Sequence, residues 1–325
     1  MTIEPDAFAD ALLRCPIGCA FLLTMERDGM PAALAVASEQ AYARAAVALR
    51  ALNPWMTNSP EAKAAVLARA PQLVGRAHEV AEQPGAGWWT APIDLGRQVL
   101  LVDREPASTT APTTGFRWED YAERPIDWRM TSTLRGGVSC GDFVIGLGVG
   151  DWGDDPLVRC TATVHATARV REIVTPADWH ALCASHPRVR SKPKPSPPPR
   201  SGWHYAPLGL EQEGPDRVGM LVPDWSALAA DLDGVHLTFA GLLTVPFVEH
   251  ESEEGRTMMW SWDTEGTTWL QGDFLRASEP LPPAPEGLDS DELVRYLSED
   301  YLGIPRSGLL RRARHRRWWW PFGPR

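Results

Sequence analysis

The sequence predicts an α+β protein, an alanine-rich helical module followed by a mixed β-sheet, and three observations predict it. Up to about residue 83, apolar residues recur at helical spacing. At "PGAGWW" the texture changes to short β-branched runs punctuated by Pro and Gly. From 88 to 275 these runs alternate with short helical stretches, the order expected of strands and helices around one mixed sheet. The chain divides accordingly into a helical domain over 1–85, a mixed α+β domain over 86–278, an acidic helical region over 279–303 and a basic Trp/Arg tail over 304–325.

Within the helical part, 6–27 and 32–52 read as two or three helices. The stretch "SPEAKAAVLARAPQLVGRAHEVAEQ" opens with Ser59 as N-cap and Pro60 at the first helical position, and Pro71 should kink or divide it. "RQVLLVDRE" is a short strand, and "LVRCTATVHATARVREIV" reads as one long strand or two consecutive ones. Thr175, Pro176 and Asp178 give a capped start to a helix running to about Ser185. The connector "SKPKPSPPPRS" has the composition of an extended, solvated polyproline segment. "VGMLVP" then reads as strand, "DWSALAADL" as a helix capped by Asp224, and "GVHLTFAGLLTV" as strand. "TMMWSWD" and "TTWLQGDF" complete the region as two strands around a turn at 264–266.

Composition narrows the function. Hydrophobic content of 44% and charged content of 23% are those of an ordinary globular chain. No apolar run approaches the ~18 residues of a spanning helix, and the acidic start "MTIEPDAFADALLR" does not resemble a secretion signal, so a cytoplasmic location is expected. Five scattered cysteines in a chain this large suggest reduced, buried thiols. Lys63, Lys192 and Lys194 are the only lysines, an arginine bias that suggests a GC-rich bacterial genome. The tail 304–325 holds seven arginines and no acid, so removing it from a net charge of −10 leaves −17 on the other 303 residues. Such an acidic body argues against broad nucleic-acid binding by the core.

The stretch "RTMMWSWDTEGTTWL" places Asp263 and Glu265 in a run of Trp, Met and Thr, where buried carboxylates need partners. Two other places complete a constellation: Arg104 at the end of "QVLLVDRE", and Thr131, Ser132 and Thr133 in "WRMTSTLRGGVSC". In that order, with "DWSALAADLDGVHLTFAGLLT" preceding "WDTEGTTWL", the chain resembles the Arg–Ser–Glu type of ADP-ribosyltransferase-like fold. It is similar over 95–275 to uncharacterised bacterial and phage proteins. The resemblance implies NAD as substrate and a mono-ADP-ribosyltransferase or NAD glycohydrolase activity. It implies Glu265, Ser132 and Arg104 as catalytic residues, with Arg104 facing the pyrophosphate. Thr131, Ser132, Thr133, Trp262 and Asp263 would bind the nucleotide, and Trp128, Trp260 and Trp269 would line the cleft. Many family members that modify a protein side chain carry Glu or Gln two residues before the catalytic Glu. Here that position is Asp263, which leaves the acceptor, and transfer against hydrolysis, open. Arg97 and Arg129 are rivals for the phosphate.

The alternative is a non-catalytic interaction protein, an immunity or phage-associated factor using a Trp-rich face and the basic tail. That tail, "RRARHRRWWWPF", would suit an anionic membrane surface or RNA. Other motifs point to structure. His180, Cys183 and His186 share a helical face and lack a fourth ligand nearby, so a hydrogen-bonded cluster is expected, with no metal. His236 alternates against the apolar Val235 and Leu237 and could reach the site. "GLGVG" lacks the helix that a dinucleotide fingerprint requires.

Overall fold

The computed structural model describes residues 3–52, 60–102, 130–146, 158–189, 219–259, 262, 264–270 and 275–281. The connector 191–201, residues 282–303 and the tail 304–325 lie outside them. The chain is α+β.

Helices α1 (Pro5–Arg14) and α2 (Pro16–Arg27) come from the first predicted helical stretch. They are separate because Cys15 is extended, as the residue before Pro16 prefers, and the axes bend by 99° there. Next come α3 (Ala32–Ala35), α4 (Ser38–Leu52), α5 (Pro60–Leu67) and α6 (Ala70–Ala81), the last two parted just before Pro71. A 3-10 helix, Pro84–Thr90, leads to the sheet. Among the described residues no single helix is long and apolar enough to cross a membrane. Helix α2 is buried from Pro16 to Met25. The buried Arg44 of α4 is neutralised where its guanidinium donates to Asp28 at 2.8 Å and to the Thr24 carbonyl at 2.7 Å.

Among the described residues the main sheet has seven strands: β1 (Gln98–Val102), β2 (Met130–Thr133), β3 (Val158–Val164), β4 (Val170–Ile173), β7 (Gly234–Leu237), β10 (Gly266–Trp269) and β11 (Leu275–Pro280). Their order is β11-β3-β1-β2-β10-β7-β4, with every pairing antiparallel except the parallel β4 and β7. Two hairpin-like pairs stand beside it, β5 (Pro187–Val189) with β6 (Leu221–Pro223), and β8 (Glu249–Ser252) with β9 (Gly255–Met258).

Four more helices lie among the described residues: α7 (Cys140–Gly146), α8 (Pro176–Ser185), α9 (Trp225–Asp231) and α10 (Phe239–Thr244). The capping box expected of α8 is present between Thr175 and Asp178, and Asp224 caps α9. One continuous buried cluster runs from Phe8 to Trp262, so the N-terminal helices and the sheet share a core. Its centre is aromatic: the Phe239 ring lies 5.0 Å from Trp88, 5.0 Å from Trp89 and 5.4 Å from Tyr42.

Three local expectations are corrected. The run "GVHLTFAGLLTV" is not one strand: it leaves β7 at Thr238, whose hydroxyl accepts the Gly241 amide and caps α10. The segment 256–275 does not form one hairpin, because β9 pairs with β8 while β10 inserts between β2 and β7. "CGDFVIG", unassigned in the sequence, is the helix α7, held to β3 by a buried ion pair from Arg159 to both oxygens of Asp142.

Candidate functional site

A row of polar side chains, each contributed by the next strand, runs from the centre of the sheet to its β4 end. Ser132 comes from β2, Glu265 from the bend that enters β10, His236 from β7 and Glu172 from β4. The Ser132 hydroxyl lies 2.8 Å from Glu265 Oε2 and 2.9 Å from the Glu265 carbonyl, and accepts the Gly141 amide at 3.3 Å. Glu265 Oε1 is 3.2 Å from His236 Nε2. His236 Nδ1 meets Glu172, whose second oxygen accepts the Ile93 amide at 2.9 Å. Glu265 is 2% exposed and His236 1%.

Close backbone approach makes the row possible. A Cβ on Gly266 would sit 2.6 Å from the Thr131 carbonyl, so glycine is what lets the start of β10 close on β2 beside Glu265.

Charge follows from these contacts. Burial works against a charged His236, yet the hydrogen bonds from Glu172 and Glu265 outweigh it and raise the ring from 6.5 to about 9. At neutral pH His236 is therefore an imidazolium with both N–H groups donating, a cation between two carboxylates. Burial, and then Glu265 beside it, pushes the Cys140 thiol up to about 12. The same two causes raise the Tyr42 hydroxyl still further, so both groups stay neutral.

Thr131 and Thr133 alternate away from Ser132 along β2. They belong to a second network: Thr131 donates to Gln98 Oε1 at 2.6 Å, Gln98 Nε2 reaches Thr133 at 3.2 Å, and Trp269 donates to Thr131 at 2.9 Å. Gln98 of β1 thus joins the threonines to one another. Trp262 packs against Trp179 at 6.4 Å inside the core, and Trp269 is fully buried. Arg104, Asp263, Trp128, Trp260 and Arg129 lie outside the described residues. Arg97 is exposed and 3.7 Å from Asp94. His180 faces Thr257 and Ser252 at 3.1 and 2.8 Å, and His186 faces Asp231 at 3.2 Å.

Sequence reasoning thus linked Ser132 to Glu265 and admitted His236, but missed Glu172. The available signal was alternation: Glu172 sits between Arg171 and Ile173 as His236 sits between Val235 and Leu237, and in-register parallel pairing sets the two opposite each other.

No family model, curated protein or solved structure matches this chain.

Proposed function

We propose that this protein acts on NAD as a mono-ADP-ribosyltransferase or NAD glycohydrolase, with Glu265 as the central carboxylate. What carries the reading is the 2.8 Å contact between Ser132 and Glu265, side chains 133 positions apart brought together by adjacent strands. Cleaving the bond between ribose and nicotinamide builds positive charge on the sugar, and a fixed carboxylate opposes that charge without reorganising. Ser132 orients one oxygen of Glu265, and His236 orients the other. Both oxygens are occupied in this state, so a ribose hydroxyl would take over one of these hydrogen bonds, an exchange whose net energy is small. Arg104 is proposed to face the pyrophosphate.

The test is nicotinamide release from NAD by the purified full chain, with and without cell extract to supply an acceptor. Glu265→Gln preserves the shape and should lower turnover by roughly a hundredfold or more. Equal background release by wild type and variant overturns the reading.

A second reading is favoured by the enclosure of Glu265 at 2% exposure. Here the row is an interior tie within a non-catalytic interaction protein. It predicts that NAD leaves thermal stability unchanged, since a ligand that prefers the native state must raise it, and that Glu265→Gln lowers stability alone.

A further inference from the structure

The two buried arginines among the described residues are paired with acids: Arg44 bonds Asp28 and Arg159 bonds Asp142. Arg135 differs. It is half-buried, its Nε is enclosed without a hydrogen bond, and no acid among the described residues pairs with it. Its guanidinium instead lies over the Trp88 ring, 5.1 Å from the centroid. Tyr42 packs edge-on against that same ring at 5.3 Å, and its buried hydroxyl has the Arg135 guanidinium as its neighbour, without a hydrogen bond of full geometry. The Arg135 Nε–H and the Tyr42 O–H thus converge on one indole with no acceptor satisfied between them, an arrangement that costs free energy unless something accepts from them.

The position of Arg135 is built. It follows β2 by two residues, pairs across a tight turn with Val138, and the turn needs positive φ at Gly136 (+61°) and Gly137 (+89°). The carbonyl of Gly137 accepts from Arg159, which anchors the turn to the ion pair under α7. Ser132 is three residues upstream.

We propose that Arg135 and Tyr42, on the Trp88 platform, form an anion site that takes the phosphate or pyrophosphate of a nucleotide lying beside Ser132 and Glu265. A guanidinium with free donors suits phosphate oxygens, and a neutral tyrosine hydroxyl adds one more hydrogen bond. The ligand class follows the NAD reading above, but the anion site is measurable without any turnover.

Isothermal titration of the full chain with inorganic phosphate, pyrophosphate and ADP-ribose tests it, using wild type, Arg135→Gln, Arg135→Lys, Tyr42→Phe and Glu265→Gln, each first checked for wild-type circular dichroism. Arg135→Gln should weaken pyrophosphate or ADP-ribose binding by roughly tenfold to a hundredfold. Arg135→Lys should restore part of it, and Glu265→Gln, which removes a negative charge acting on Tyr42, should not weaken pyrophosphate binding. Phosphate binding as tight as that of ADP-ribose would identify a free anion as the occupant; tighter ADP-ribose binding would identify a nucleotide. Pyrophosphate and ADP-ribose binding that is absent in wild type, or unchanged in folded Arg135→Gln, overturns the proposal. Anion binding lost in Arg135→Gln alongside wild type that releases no nicotinamide upholds the site and overturns the NAD activity. Nicotinamide release with an unchanged KM in Arg135→Gln does the reverse.

Discussion

His236→Gln should remove a pH dependence of stability that wild type shows between neutral and alkaline pH. In the folded protein the ring is raised to about 9 against an ordinary 6.5, with Glu172 and Glu265 as the charged groups facing it. A group raised on folding contributes its full stability below its unfolded value and loses it as the pH rises through its folded one. The interval from 6.5 to about 9, at ~1.4 kcal/mol per pH unit, gives about 3 kcal/mol that is present near pH 6 and gone above pH 9. Cys140, raised from 9.0 to about 12, begins to lose stability only where its unfolded thiol ionises near the top of this interval, and it does so equally in wild type and variant, so the difference between the two proteins isolates His236. Urea unfolding of wild type and variant at about pH 6, 7.5 and 9.5 reads it. The difference in unfolding free energy between the two proteins should shrink by about 3 kcal/mol from the lowest to the highest pH. A difference that stays constant would show that His236 is not held charged between its two carboxylates, and the row would lose its cation.

Two further outcomes concern the scaffold of the row. Gly266→Ala places a methyl 2.6 Å from the Thr131 carbonyl, so β10 must move off β2; a loss of about 1–3 kcal/mol in urea unfolding is expected, with loss of any NAD cleavage. Asp142→Asn strips the charge that neutralises the buried Arg159 and should cost about 3 kcal/mol, whereas the double change Asp142→Leu with Arg159→Met should recover much of it; equal losses in both would refute the ion-pair account.

Much of the architecture was legible because local chemistry announces it. The Thr175 and Asp178 cap, the break before Pro71 and the strand from Gln98 are each set by a few neighbouring residues, and the structure has all three. The errors share one cause. In "GVHLTFAGLLTV" the apolar run continues without a visible break, and nothing local distinguishes a buried strand from a buried helix. Thr238 decides it only because the close approach of Gly241 to the Ile173 carbonyl, at 2.4 Å from a virtual Cβ, lets α10 pack there. Likewise β9 and β10 are adjacent in sequence yet belong to different sheets, a choice made by long-range pairing with β8, β2 and β7.

The same distinction explains the site. Ser132 and Glu265 are paired through the resemblance to the Arg–Ser–Glu layout, while the Trp, Met and Thr around Glu265 only mark its carboxylate as one that needs a partner. Glu172 and Arg135 are not singled out, since a charge in a short strand or beside a turn carries no local signal of its partner until the register is known. Register is also what gives the row its meaning. Ser132, Glu265, His236 and Glu172 come from four strands in succession, and a slip of one residue in β7 would turn His236 to the opposite face and insert Val235 or Leu237 between the carboxylates. The buried ring of His236 lies between the buried Glu265 and the partly exposed Glu172, so one end of the row reaches solvent. Glu265 raises the Tyr42 hydroxyl and the guanidinium of Arg135 lowers it, so both charges act on that one group. Arg135, which has no acid partner among the described residues, is the cation that the proposed phosphate-bearing ligand would meet.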